Sequence, residues 1–298
     1  MSFSQSVKAE LCAHRPERKC CALAESYGLL LFCRSFTEKE IKLQTSSAEL
    51  ASRVPLLFRR AFGVEPDSVS SGSTGRYIIK ITDPEKLGLI FDAYGISPNE
   101  PSLHINFGVI EEDCCRASFI RGAFLAGGSV SDPEKSYHLE LATTHRSVSR
   151  ECIPLLSELG LSPNETQRKG NSVLYLKRSD YIEDFLTTVG APVCAMELMN
   201  ARIEKEMTNA VNRKVNCDSA NADKIVSAAA EQMEAILRIE KQWGIKSLPD
   251  KLREAALLRF ANPEASIAEL AMLASPPVSK SCLSHRLRKL LSYDPEKP

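Results

Sequence analysis

Seven polar side chains crowd into ten residues near the C-terminal end of the sequence: Lys280, Ser281, Ser284, His285, Arg286, Arg288 and Lys289. Between them Leu283, Leu287 and Leu290 recur at steps of four and three, the spacing of one helical face. A helix over 278–291 would turn its leucines toward a core. Lys280, Ser281, Ser284, His285 and Arg288 then face the other way, with Arg286 and Lys289 on the flanks. No acidic residue occurs from 271 to 293, so four cations stand together in a chain whose 38 basic and 38 acidic residues cancel. Such a face suits the major groove of DNA. Lysine and arginine donate to guanine edges, and serine hydroxyls donate or accept. Arg286 and Lys289, nearer the helix C-terminus, are placed for phosphates. His285 suits a base, a phosphate or plain solvation. The plainer alternative for the whole run is a solvated basic face at a helix C-terminus, where cations suit the helix dipole.

Other residues offer less. The ten cysteines include no C-x-x-C pair, and the five histidines are scattered. Cys20-Cys21 and Cys114-Cys115 are adjacent pairs, and neighbouring cysteines bridge poorly. The N-terminal residues lack the basic-then-apolar pattern of a secretory signal. Reduced thiols in a cytoplasmic protein are therefore expected, with no structural metal and no cofactor. Arg213 and Lys214 lie in the Asn-rich segment 212–221, which reads as an ordered connector or as an arm contacting phosphates.

These residues need a scaffold, and 298 residues suggest about two domains. No apolar run approaches the ~18 residues of a spanning helix, so an integral membrane protein is not expected. An internal duplication stands out. Cys20-Cys21 recurs 94 residues later as Cys114-Cys115, and in each copy a glycine (Gly28, Gly122) follows seven residues after the second cysteine. A serine, Ser35 or Ser129, follows seven residues after that. Alternating strand patterns match at 41–45 and 139–143. Helical patterns match at 48–62 and 147–159, ending near Gly63 and Gly160. Further strands are expected at 77–83 and 174–180, and closing helices at 84–94 and 181–189. Each half reads helix–strand–strand–helix–strand–strand–helix. The fold class is α+β, with a pseudo-twofold axis bringing Gly28 and Gly122 face to face for close helix packing.

Ile120 to Ser129, recurring in this architecture, resembles the LAGLIDADG homing-endonuclease motif, and the likeness spans roughly 18–190. The first copy, with Leu31, Cys33 and Arg34, is badly eroded. The resemblance implies a metal-binding acid near the end of each motif helix. Cys33 and Gly127 stand at those positions, and neither offers the hard oxygen that magnesium requires. No catalytic residue and no DNA cleavage are expected. Residues 1–194 carry 22 basic and 24 acidic side chains, little for a surface gripping many phosphates. Lys42, Lys80, Arg168, Lys169, Lys177 and Arg178 fit either a DNA-facing sheet or solvated strand edges. This half of the chain fits a protein partner at least as well.

Beyond Gly190-Ala191-Pro192 the character changes. A polar helix is expected from 195 to 211, a break at 212–221 that Asp218 or Ser219 would cap, and a helix from 222 to 243. Short helices follow at 252–260 and 266–273, the latter opened by a Ser266/Glu269 capping box, and Pro276-Pro277 precedes the basic helix. This is a helix-turn-helix pattern. The boundaries read as 1–98 and 99–194 for the two halves, 195–221 for the connector, 222–292 for an all-α helix-turn-helix domain and 293–298 for a tail.

The whole chain resembles the WhiA family of Gram-positive bacterial regulators. The likeness rests on the domain order and on Asn212-Arg213-x-x-Asn216-Cys217-x-x-Ala220-Asn221. It rests also on Asn262-Pro263-Glu264-Ala265-Ser266 and on Ser279-Lys280-Ser281 followed by His285-Arg286-Leu287-Arg288-Lys289-Leu290. The resemblance implies a transcription regulator that binds promoter double-stranded DNA through its C-terminal helix-turn-helix and carries an inactive nuclease fold. It further implies a nucleoid-associated protein acting on sporulation, cell-division or chromosome-segregation genes. The alternative is an adaptor or non-specific nucleoid binder that meets a protein partner through residues 1–194.

Overall fold

The computed structural model describes residues 2–295 except 17, 73–74 and 98–101. The boundary expected between 98 and 99, and residues 296–298 of the tail, lie outside the described residues. The chain divides into two compact units, residues 1–205 and 206–298. No helix among the described residues is long and apolar enough to cross a membrane.

The first unit opens with α1 (Phe3–Ala13), which Ser2 and Gln5 start as a reciprocal capping box. Two copies of one seven-element unit follow. The first is α2 (Lys19–Leu31), β1 (Ser35–Phe36), β2 (Ile41–Thr45), α3 (Ala48–Phe62), β3 (Ser68–Ser71), β4 (Tyr77–Ile81) and α4 (Pro84–Tyr94). The second is α5 (Asp113–Gly127), β5 (Gly128–Val130), β6 (Leu139–Thr143), α6 (Arg146–Glu158), β7 (Asn164–Arg168), β8 (Asn171–Leu176) and α7 (Ser179–Val189). Each copy builds one antiparallel sheet, in the orders β1-β2-β4-β3 and β5-β6-β8-β7. Ile41 lies opposite Ile81 in one sheet and Leu139 opposite Leu176 in the other. The shared strand order shows that the duplication in sequence is a duplication of fold. The strand expected at 174–180 begins earlier, at Asn171, because a turn with Lys169 and Gly170 at positive φ returns the chain from β7.

Helices α2 and α5 pack against each other through their glycines. A Cβ built on Gly28 would lie 2.0 Å from the Phe119 carbonyl oxygen, and one on Gly122 2.0 Å from that of Glu25. The two backbones touch directly, which only glycine permits. Beside this contact Glu25 is fully buried. Arg53 donates to both its carboxylate oxygens at 2.7 and 2.9 Å, and Arg121 donates to one at 3.2 Å. The arginines also donate to the Cys12 and Val189 carbonyls. Breaking a buried ion group by removing one member costs about 3–5 kcal/mol, because the remaining charges stay buried and uncompensated. Glu25→Gln, which keeps the shape and removes the charge, is expected to destabilise the first unit by that amount. Circular dichroism would show the earlier melt. The sole tryptophan, Trp243, lies in the second unit, so its fluorescence transition should stay in place.

One sequence expectation fails here. Residues 195–243 do not form two helices with a capped break. They belong to one 51-residue helix, α8 (Pro192–Gln242), and neither Asp218 nor Ser219 caps a helix start. Asparagine and aspartate cost a helix under about 0.7 kcal/mol each, and only glycine or proline breaks one strongly. Neither occurs between Val193 and Trp243. The helix is held at one end by buried Cys194, Ala195, Leu198 and Ala201, and at the other by Ala229, Gln232, Ala235, Ile236 and Ile239.

In the second unit, α9 (Asp250–Ala261), α10 (Ile267–Leu273) and α11 (Lys280–Leu291) close over the C-terminal part of α8. The core joins Ile236 and Ile239 of α8 to Ala255, Ala256, Leu270, Ala271, Leu283, Leu287 and Leu290. Arg259 is buried among them. It donates to the Gln232 side-chain oxygen at 2.9 Å and to the Ala265 carbonyl at 2.6 Å, fixing the turn that leads into α10.

Candidate nucleic-acid interface

Helix α11 starts where Ser279 accepts a hydrogen bond from the Cys282 amide at 3.2 Å. The preceding α10 starts with the Ser266/Glu269 capping box formed in both directions. Two short helices are thus started separately, with Ala274 to Val278 turning between them. Leu283, Leu287 and Leu290 are fully buried, as their spacing requires. Lys280, Ser281, His285, Arg288 and Lys289 are exposed, and Ser284 is half-buried. Twelve residues give α11 a length of about 18 Å, enough to lie along a stretch of major groove.

The cations on this helix are not equivalent. Lys280, His285, Arg288 and Lys289 form no salt bridge with any described residue. Arg286 does. Its guanidinium lies 3.0 Å from the Glu254 carboxylate of α9 and is only 15% exposed. The sequence placed Arg286 beside Lys289 as a phosphate contact. The structure gives it an internal partner as well, 32 residues upstream and invisible to helical periodicity. Arg238 of α8 likewise donates to the Leu291 carbonyl at 2.9 Å and holds the end of α11. Cys282 is exposed in the first turn of α11, beside Ser281.

Arg213 and Lys214 are exposed and occupy the interior of α8. Arg213 precedes Ala229, the first buried residue in the C-terminal part of α8, by 16 residues. That is about 24 Å along the helix. The structure does not gather this pair with the α11 face.

In the first unit, a depression at the C-terminal ends of α2 and α5 marks where nuclease chemistry would sit. It is lined by Cys33, Arg34, Gln44, Thr45, Arg76, Gly127, Thr143 and Asn171, among others. Among the described residues, this lining includes no carboxylate. Neither motif position supplies one. A Cβ on Gly127 would lie 2.2 Å from the Ala142 carbonyl oxygen, so no longer side chain fits without moving the backbone. Cys33 is buried, donates to the Ser35 carbonyl at 3.1 Å, and burial pushes its thiol up to about 12. It is a neutral packing group.

Of the six cations considered for a sheet surface, Lys42 and Lys80 stand directly opposite each other on β2 and β4. Arg168 lies 3.6 Å from Glu140, and Arg178 pairs with Asp180. Lys169 occupies the β7–β8 turn. Lys177 lies over the Tyr175 ring. Two of the four cations in the second copy are thus paired with acids, while the first sheet keeps a cationic pair.

The sequence reading also missed that the fold brings Cys20, Cys21, Cys114 and Cys115 together, with all four sulfurs within 4.8 Å of one another. The expectation of no metal ligands rested on spacing along the chain, which does not register a pair of pairs 94 residues apart. The signal was present in the duplication, since symmetric helices that pack together must bring their equivalent positions close.

Comparison with known proteins agrees with this architecture. Residues 116–208 match the family model of the WhiA LAGLIDADG-like domain, and residues 211–293 match that of the WhiA C-terminal HTH domain. The chain is 40% identical over 301 residues to the probable cell division protein WhiA of Ruminiclostridium cellulolyticum, covering 97% of this chain and 96% of that protein. It is 38% identical over 304 residues to the corresponding protein of Clostridium botulinum strain Hall, covering 97% and 96%. The crystal structure of full-length DUF199/WhiA from Thermotoga maritima superposes with a TM-score of 0.61 at 25% identity, covering 98% of this chain and 97% of that one. An N-terminal LAGLIDADG domain of DUF199/WhiA superposes at 0.51 with 22% identity, covering 63% of this chain and 92% of its own, a likeness of fold.

Proposed function

The chain belongs to the WhiA family, and from that premise we propose that it is a transcription regulator reading promoter DNA through α11. The observation that supports this most is the exposed face bearing Lys280, Ser281, His285, Arg288 and Lys289, free of acidic neighbours along the helix and backed by a leucine core. Lys280, Ser281, Ser284 and Arg288 would meet base edges, and Arg286 and Lys289 would hold phosphates. Arg213 and Lys214 would add phosphate contacts from α8. The relatives' designation as probable cell division proteins supports target genes in cell division; chromosome-segregation and sporulation genes, and a nucleoid location in the cytoplasm, are part of the same proposal.

Selection of bound sequences from a random duplex pool tests this reading. Enrichment of one motif is the expected result, and an unenriched pool after repeated rounds would refute it.

The first unit is proposed to be a nuclease fold without nuclease activity. The carboxylate-free depression, the closed position at Gly127 and the buried neutral thiol of Cys33 support this. Supercoiled plasmid incubated with the full chain and magnesium or manganese, at concentrations that saturate binding, is expected to stay intact. Metal-dependent nicking would contradict the proposal. A protein partner for residues 1–194 is a second reading, favoured by the near balance of 22 basic and 24 acidic side chains there.

A further inference from the structure

The four clustered cysteines form a site that neither the DNA reading nor the nuclease ancestry explains. Cys20 and Cys21 lie in the first turn of α2, and Cys114 and Cys115 in the first turn of α5. Cys21 and Cys115 are buried, whereas Cys20 and Cys114 are exposed. The sulfurs of Cys114 and Cys115 are 4.0 Å apart, and no two of the four are more than 4.8 Å apart. A tetrahedral zinc tetrathiolate, with Zn–S about 2.3 Å, sets sulfur–sulfur edges of about 3.8 Å. The quartet reaches that size by a contraction of at most about an ångström. An iron–sulfur cluster spreads its four thiolates over two or four irons, so at least some of the sulfurs would stand farther apart than in a mononuclear site.

The surroundings also favour a thiolate-bound cation. Neither Arg18 at the start of α2 nor Glu112 at the start of α5 caps its helix with a side-chain hydrogen bond. The first turn of α2 carries no acidic residue, so its positive end lies uncompensated beside the sulfurs, while Asp113 stands in the first turn of α5. Arg18 and Arg121 line the adjacent cleft together with Cys21 and Cys114. A zinc ion bound by four thiolates carries net charge −2, which these groups offset. We propose that Cys20, Cys21, Cys114 and Cys115 bind one zinc ion that clamps the two duplicated halves at the N-terminal ends of their central helices. Each thiol gives its proton to solvent as its sulfur bonds to the metal, so four protons leave for each ion bound.

The test uses the full chain. Protein purified without chelator is expected to retain about one zinc per chain by elemental analysis. After removal of metal under reducing conditions, cobalt(II) should saturate at one equivalent with the intense ligand-field bands of a tetrahedral tetrathiolate. The double variant Cys20→Ser/Cys114→Ser changes only exposed thiols and should lose the spectrum, whereas Cys217→Ser/Cys282→Ser should keep it. If the first variant fails to fold, alkylation of the unaltered chain decides. Zinc should then protect Cys20 and Cys114, the two exposed thiols of the quartet, from modification under native conditions. Reduced protein that retains no zinc, gives no tetrathiolate cobalt spectrum and gains no protection overturns the proposal. So does a quartet found oxidised to disulfides that takes up no metal after reduction.

Discussion

Replacing Gly122 with alanine is expected to unfold the N-terminal unit at temperatures where the native chain is stable. The added methyl would lie 2.0 Å from the Glu25 carbonyl oxygen and 2.9 Å from the Leu29 amide nitrogen. Both obstacles are backbone, so no side chain can rotate away. Relief requires α2 and α5 to separate by more than an ångström along a contact whose flanks are the fully buried Tyr27, Leu29, Phe119 and Ile120. Overpacking of this kind costs about 1–3 kcal/mol in ordinary cores and more where the backbone must move. Gly28→Ala meets the mirror-image obstacle, 2.0 Å from the Phe119 carbonyl oxygen. The two together should leave no folded unit, because each forces apart the same surfaces. Helix propensity acts in the opposite direction, since alanine is favoured over glycine inside a helix by about 1 kcal/mol. Gly88 in α4 isolates that term, because a Cβ there meets nothing within 4 Å. Gly88→Ala should be neutral or mildly stabilising. Far-UV circular dichroism melts of the three variants separate the effects, with Trp243 fluorescence reporting the unaltered second unit.

The second large effect is expected on DNA. Lys280→Ala/Arg288→Ala/Lys289→Ala should weaken binding to the selected duplex on the order of 10²-fold or more, since each side chain at a base or phosphate contributes about 1–3 kcal/mol or its electrostatic equivalent. Each lost phosphate contact should also lower the salt slope by about 0.9. The three are exposed and unpaired with any described residue, so their removal leaves the leucine core intact and the melting curve unchanged. Arg286→Ala should behave differently. Its partner Glu254 would lose its ion pair, loosening the contact of α9 with α11, so its cost should appear as stability as well as affinity. Fluorescence anisotropy titrations alongside thermal melts distinguish the two outcomes.

The contrast between Arg286 and its neighbours shows where the sequence stops being readable. Periodicity assigned Leu283, Leu287 and Leu290 to the core because it encodes which face of a helix is apolar. It placed Arg286 on a flank but carried no information about Glu254, since a partner on another element leaves no local trace. The same holds for Glu25, whose burial with Arg53 and Arg121 joins residues up to 96 apart. Elements whose limits are set locally were readable to the residue: 48–62 and 84–94 as helices, and 41–45 and 139–143 as strands. Capping residues, glycines in the left-handed conformation and strict alternation fix such limits. The opening helix α1 was missed although Ser2 and Gln5 write a capping box at its start. The Asn-rich centre of α8 reads locally as a break because its residues favour caps, yet without glycine or proline the helix runs through it.

The central claim is that α11 reads sequence rather than merely attracting phosphate. It is tested most directly by titrating the full chain against the selected duplex and a scrambled duplex of equal composition over a range of salt. Tighter binding to the selected duplex at every salt concentration, with a slope corresponding to several phosphates, is the predicted result. Equal affinity for both duplexes across the range would contradict it and reduce the protein to a non-specific binder.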